Sequence, residues 1–95
     1  MHTKQAKLTL HIPHATSLKA KRQIRRSLIE KTRNKFNAAI AEVATQDSHK
    51  TLTLGIATVS GEASHAENSL NEVIRSIENW AENLGAQLED FYEFQ

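Results

Sequence analysis

Between Ser17 and Lys35 the chain reads SLKAKRQIRRSLIEKTRNK, which holds eight of its twelve Lys and Arg residues and a single acid, Glu30. Cationic charge at that density is the chemistry of anion recognition, with phosphate groups the natural ligand class. The groups on offer are Ser17, Lys19, Lys21, Arg22, Arg25, Arg26, Arg33 and Lys35. Lys19, Lys21 and Arg22 fall at the start of a segment that reads as a helix. There the positive end of the macrodipole disfavours each exposed cation by about 0.3–1 kcal/mol. A phosphate bound at that end would make assets of both the dipole and the cations. The later basic residues would extend the track along a helix of about 27 Å, at 1.5 Å per residue. The competing reading is a solvated basic face paired with acids elsewhere in the chain. The charge distribution permits it, because residues 1–50 carry eleven basic and three acidic side chains whereas residues 51–95 carry one basic and eight acidic.

Other chemistries are poorly supplied. The absence of cysteine excludes disulfides, thiolate metal sites and Cys nucleophiles. His11 and His14 lack the nearby carboxylate or thiolate that would complete a metal site, so these two, like His65, are expected on loops or surfaces. Glu42 and Asp47 have no companion nucleophile, and structural pairing with the basic helix suits them better than acid–base catalysis. No metal, cofactor or hydrolase activity is expected.

The elements that must position these groups follow from periodicity. Lys7–Ile12 alternates, with Leu8, Leu10 and Ile12 on one face, and reads as a half-buried strand ended by Pro13. After the loop Pro13–Thr16, Ser17 is a good N-cap for a helix whose apolar side is Leu18, Ile24, Leu28, Ile29 and Phe36. Lys21 and Arg25 fall inside that apolar sector by angle, so the helix start is expected to overhang the sheet, with the two stems lying on apolar surface and the charges reaching outward. Residues 37–44 are predicted as a strand, 45–50 as a turn and Thr51–Ser60 as the second arm of a hairpin, in which Gly55 permits a bulge or close backbone approach. A second helix starts at a capping-box spacing, Ser64-His-Ala-Glu67, carries the stripe Ala66, Leu70, Val73, Ile74, Ile77, Ala81 and Leu84, and stops at Gly85. Gln87–Phe94 is a last strand whose apolar residues change phase between Leu88 and Phe91, predicting a bulge.

Strand, helix, strand, strand, helix, strand with right-handed crossovers is the ferredoxin-like α+β sandwich, four antiparallel strands with both helices on one face. Ninety-five residues, 39% apolar and 24% charged, suit a single soluble domain over 1–95. With no apolar run near the length of a membrane span and no apolar leader, a cytoplasmic location is expected. The open sheet face would carry Thr9, His11, Thr53 and Ala57, either solvated or covered by a second subunit. Trp80, Phe91, Tyr92 and Phe94 are assigned to the core edge or an interface.

The blocks Ile12-Pro13-x-Ala15-x-Ser17-Leu18-Lys19-x-Lys21-Arg22, Ser27-Leu28, Arg33-Asn34-x-Phe36-Asn37, Ala41-Glu42-Val43, Asp47 and Leu54-Gly55 resemble the YlxP-like proteins, a bacterial family of unknown function, over nearly the whole chain. The resemblance implies a ferredoxin-like fold. It also implies a link to translation, since members are often encoded beside transcription, initiation and ribosome-maturation factors such as ribosome-binding factor A. Arg25 and Thr32 stand where relatives tend to be apolar, and His49 where an aromatic is common.

Two proteins of similar topology sharpen the functional choice. An RNA-recognition motif stacks bases on aromatics of its two central strands, and those aromatics are missing from Thr9, His11, Thr53 and Ala57. An acylphosphatase has a glycine-containing phosphate loop after its first strand, whereas Pro13–Ser17 has no glycine. The loop Ser60-Gly-Glu62 is expected at the same sheet end as Pro13–Ser17, which keeps a small-anion pocket open. The leading expectation is a non-enzymatic RNA- or ribosome-associated module that tracks phosphates with its first helix. The alternatives are a small-anion binder or enzyme using the first strand–helix loop, and a homodimeric regulatory domain that binds no nucleic acid.

Overall fold

In the computed structural model, which describes residues 1–94, the elements run β1 (His2–His11), α1 (Leu18–Lys35), β2 (Ala39–Ala44), β3 (Thr51–Ser60), α2 (Ala63–Asn83) and β4 (Gln87–Phe94). The strands form one antiparallel sheet in the order β2-β3-β1-β4. Both helices pack on the face that presents Leu8, Leu10, Leu52, Leu54 and Ile56, and Leu28, Leu70, Val73 and Ile77 close the core from above. This is the ferredoxin-like βαββαβ sandwich expected from the element order.

β1 is longer than its apolar alternation suggests, since it pairs with β3 from His2 opposite Ser60 through His11 opposite Thr51. The ladder is set by the length of the partner, and the polar residues 2–5 lie at its exposed end. Both irregularities expected in the sheet are present. The register of β4 slips between Leu88, opposite Leu10, and Asp90, opposite Thr9. On β2 the slip leaves Val43 unpaired between Glu42, opposite Leu54, and Ala44, opposite Thr53. Gly55 accommodates that bulge, because a Cβ there would stand 2.6 Å from Val43 Cγ1.

Helix ends follow local chemistry. Ser17 Oγ accepts the Ala20 N–H at 3.1 Å and starts α1. At the end of α2, Gly85 adopts φ +80°, and Ala86 N–H donates to Ala81 O at 2.8 Å, closing a Schellman turn. The capping box at Ser64 and Glu67 does not form. α2 begins at Ala63, with Glu62 in the cap position and no side-chain cap bond. Ser60 Oγ instead accepts the Glu62 N–H at 3.2 Å, turning the chain early enough that Ser64 is already helical. Leu84, expected in the apolar stripe, is the C-cap and is 36% exposed.

Candidate nucleic-acid interface

The basic residues of α1 separate onto two flanks. At 100° per residue, Lys21, Arg25, Leu28 and Thr32 share one sector, and Lys19, Arg22, Arg26 and Arg33 share another about 120° round the helix. The first flank faces β2. Lys21, expected to reach outward, is 1% exposed; its Nζ stands 2.8 Å from Glu42 Oε2, donates to Ser48 O at 2.6 Å and donates to Thr45 O. Lys21 and Glu42 thus form a buried ion pair. Glu42 Oε1 accepts from Arg25 Nη1 at 3.1 Å, and the Glu42 side chain is 5% exposed.

This knot fixes the β2–β3 turn. Thr45 sits at φ 66°, a left-handed conformation that a β-branched residue adopts only under constraint. Lys21 ties down its carbonyl, while its Oγ1 accepts the Thr53 N–H at 3.0 Å and replaces a ladder bond after the bulge. Lys21 is therefore an internal counter-ion and turn anchor, with its ammonium turned away from the surface on which a phosphate would lie. The charge of Glu42 suits its place: Glu42 shares the inward phase of Ile40 and meets two cations there. Its structural pairing with the helix matches the expectation, whereas Asp47 is exposed. Thr32, also buried, satisfies its hydroxyl on Leu28 O of its own helix at 2.8 Å.

The second flank is different. Lys19, Arg22, Arg26 and Arg33 are exposed, and the stripe from Lys19 to Arg33 is about 21 Å long at 1.5 Å per residue. Arg33 Nη2 donates to Ile40 O on β2 at 3.3 Å. Lys35, beyond the stripe, has its Nζ 5.3 Å from the Phe36 ring centre and 5.8 Å from that of Trp80, within cation–π range. The Ser17 hydroxyl is engaged in its cap. Among the described residues both ion pairs end on Glu42. The acids of α2 therefore do not neutralise the α1 stripe by direct pairing.

The other candidates do not converge. Because β1 and β3 are antiparallel, Ser60 lies opposite His2 and Thr51 opposite His11. The Ser60–Glu62 loop is thus at the far end of the sheet from Pro13–Ser17, which removes the pocket imagined between them. The Thr45–Lys50 turn takes its place: Ile12 N–H donates to Lys50 O at 2.8 Å, and Lys50 Nζ donates to Pro13 O at 2.9 Å. His14 is exposed beside Gly85, and His65 Nδ1 lies 3.4 Å from Ser60 Oγ. Among the described residues no three His, Asp or Glu side chains are grouped to hold a metal ion. No helix among them is long and apolar enough to cross a membrane.

The sheet and helices define a ferredoxin-like domain whose first helix is basic on its outer flank. Comparison with known proteins makes the assignment more particular. Residues 4–89 match the family described as "Protein of unknown function (DUF503)", and the chain belongs to that family. It is 35% identical over 68 residues to the uncharacterized protein YlxP of Bacillus subtilis, spanning 72% of this chain and 74% of YlxP. Solved structures share the fold. A de novo designed ferredoxin-fold protein superposes with TM-score 0.62 at 17% identity, covering 100% of this chain and 87% of its own. A C-terminal segment of the alpha subunit of aIF2 from Pyrococcus abyssi superposes with TM-score 0.58 at 10% identity, over 99% of this chain and 49% of that segment. This chain thus spans about half of the translation-factor segment, and at that identity the likeness is one of fold.

Proposed function

We propose that the protein is a non-enzymatic RNA-binding module that tracks a phosphate backbone along the outer flank of α1. The observation that supports this reading is the exposed stripe of Lys19, Arg22, Arg26 and Arg33, which has no carboxylate partner among the described ion pairs. Four cations along one helix flank can meet successive phosphates, and they carry positional rather than sequence information. Lys21 and Arg25, turned toward Glu42, belong to the support beneath the stripe. The link to translation that the family resemblance implies makes ribosomal RNA the natural polyanion to test. A second reading, a homodimer, is favoured by the uncovered sheet face opposite the helices, where Val43, Val59, Tyr92 and Phe94 are exposed among small and polar residues.

The experiment is a salt titration of binding to a structured RNA. Changing Lys19, Arg22 and Arg26 to Gln should weaken binding at least tenfold. It should also flatten the slope of log affinity against log salt by up to about 0.7–0.9 for each phosphate that is no longer neutralised, similarly for unrelated RNA sequences. Lys31→Gln, on the other side of the same helix, removes equal charge per site and should do much less. Equal losses per charge removed would reduce the stripe to general electrostatics, and undiminished binding by the triple variant would end the proposal.

A further inference from the structure

The face of the sheet away from the helices has a relief that matches itself. Cross-strand partners share a face, so the register arranges open-face side chains in rows. One row runs Phe94, Gln5, Ala57, Ala39 from β4 to β2, and the next runs Tyr92, Lys7, Gly55, Ala41. The β4 end is a ridge: Tyr92 and Phe94 are 56% and 44% exposed, with ring centres 4.8 Å apart in an edge-to-face pair. Beside it lies a trough of about 400 Å³, floored by Ala39, Ala41, Gly55 and Ala57 and walled by Val43 on the β2 side and by Gln5, Lys7 and the flank of Phe94 on the other.

We propose that this face is a homodimer interface in which a two-fold axis parallel to the strands lays the ridge of each copy in the trough of the other. That operation maps the order β2-β3-β1-β4 onto its reverse. β4 then lies over the partner's β2, β1 lies over the partner's β3, and each row keeps its level along the strands. Phe94 meets the partner's Ala39, and Tyr92 meets the partner's Ala41. Large faces small at both contacts, and the interface is isologous as a closed dimer requires. A two-fold perpendicular to the strands would instead stack ridge on ridge and leave both troughs empty.

Size and charge favour a second copy over other occupants. Four strands about 4.8 Å apart, six to ten residues long at about 3.3 Å each, give a face of roughly 500 Å² in projection. Side-chain relief adds to this, bringing it toward the ~800 Å² per partner of a standard interface. The two rows hold one charged residue, Lys7, which is too little for a polyanion. The unfavourable element is Lys7 itself, because the axis brings the two Lys7 side chains near each other over Gly55 and Val43.

The test uses size exchange across the axis, read by sedimentation at about 100 µM chain, where a modest interface should be populated. Wild type should sediment near twice the 10.7 kDa chain mass. Phe94→Ala empties the contact and Ala39→Phe overfills it, so each alone should weaken self-association at least tenfold. Mixed together, each variant supplies what the other lacks, and a heterodimer near wild-type affinity should form. Lys7→Thr should tighten the dimer. All these positions lie on the open face, and circular dichroism should report unchanged folding. A wild-type monomer overturns the proposal; a wild-type dimer without rescue in the mixture overturns this pairing. RNA affinity per chain should be unchanged in Phe94→Ala. Loss of RNA binding there, in a monomeric wild type, would make the face a base-stacking surface instead. The dimer and the phosphate stripe occupy opposite sides of the molecule, so either can fail alone.

Discussion

Lys21 and Arg22 are sequence neighbours of like charge, yet α1 turns one into the molecule and the other out of it. Lys21 is 1% exposed against Glu42 and two turn carbonyls, whereas Arg22 stands in solvent. One hundred degrees of helix rotation separates a residue whose charge is part of the fold from one whose charge is free to act on another molecule. The contrast is one of desolvation. A buried ammonium is tolerable only while its counter-ion and acceptors are in place, and an exposed guanidinium needs none. A density of basic residues is therefore a weak guide to function until the inward-facing members have been subtracted.

The strongest way to break this contrast is to remove the inner cation. Lys21→Ala would leave Glu42 buried with only the half-exposed Arg25 and would free the Thr45 turn. Breaking a buried pair from one side costs about 3–5 kcal/mol. In a domain of this size that lowers the melting temperature by more than about 12 °C. Lys21→Met combined with Glu42→Leu should recover much of the loss, because no buried charge is then stranded. Thermal unfolding decides the matter, and a single variant melting within a few degrees of wild type would show that Lys21 is not structural.

Arg25 occupies the boundary between the two flanks and sharpens the contrast. It is 30% exposed and gives Glu42 its second partner at 3.1 Å. Arg25→Gln should cost about 1 kcal/mol, since Lys21 continues to neutralise the carboxylate and water can reach the gap. The loss should disappear in a Glu42→Gln background in a double-mutant cycle, while RNA affinity stays near wild type. A large affinity loss with unchanged stability would move Arg25 to the outer flank.

The opposite arrangement of these two regions was only partly legible from sequence. The period-two strands, the 3.6-period helices, Gly85 and the β4 phase change all report local geometry, and they led to the correct architecture. Lys21 was visible as an angular anomaly in the apolar sector of α1, and Glu42 as an acid in phase with Ile40. That the two meet is a long-range fact, set by where α1 crosses β2. The Ser60 loop is a different case: the predicted topology already ran β3 antiparallel to β1 and so put Ser60 beside the start of β1, and the expectation of a shared loop end overlooked that consequence. The failed capping box at Ser64 shows the reverse case, in which Ser60 offered a competing acceptor a turn earlier. The ridge and trough were hidden because Tyr92 is matched with Lys7 and Gly55 with Ala41 only once both registers are known.

The smallest expected effect has the opposite sign and bears on the outer flank alone. Lys19 and Arg22 lie in the first turns of α1, which has no acidic residue in its first turn, so each faces the positive end of the macrodipole without local compensation. Replacing both with Gln should raise stability by about 0.3–1 kcal/mol per site at low ionic strength. The gain should fade as salt rises, because the screening length contracts from about 30 Å at 0.01 M to 3 Å at 1 M. Lys31→Gln, in the second half of the helix, should give no such gain. Two melting curves per variant, at low and high salt, suffice to measure this. A salt-dependent stabilisation confined to Lys19 and Arg22 would mean that their charges are held at a standing cost to the folded chain, as expected of groups whose favourable partner is another molecule. A loss of stability at either site would place that residue with Lys21, among the charges that hold the protein together.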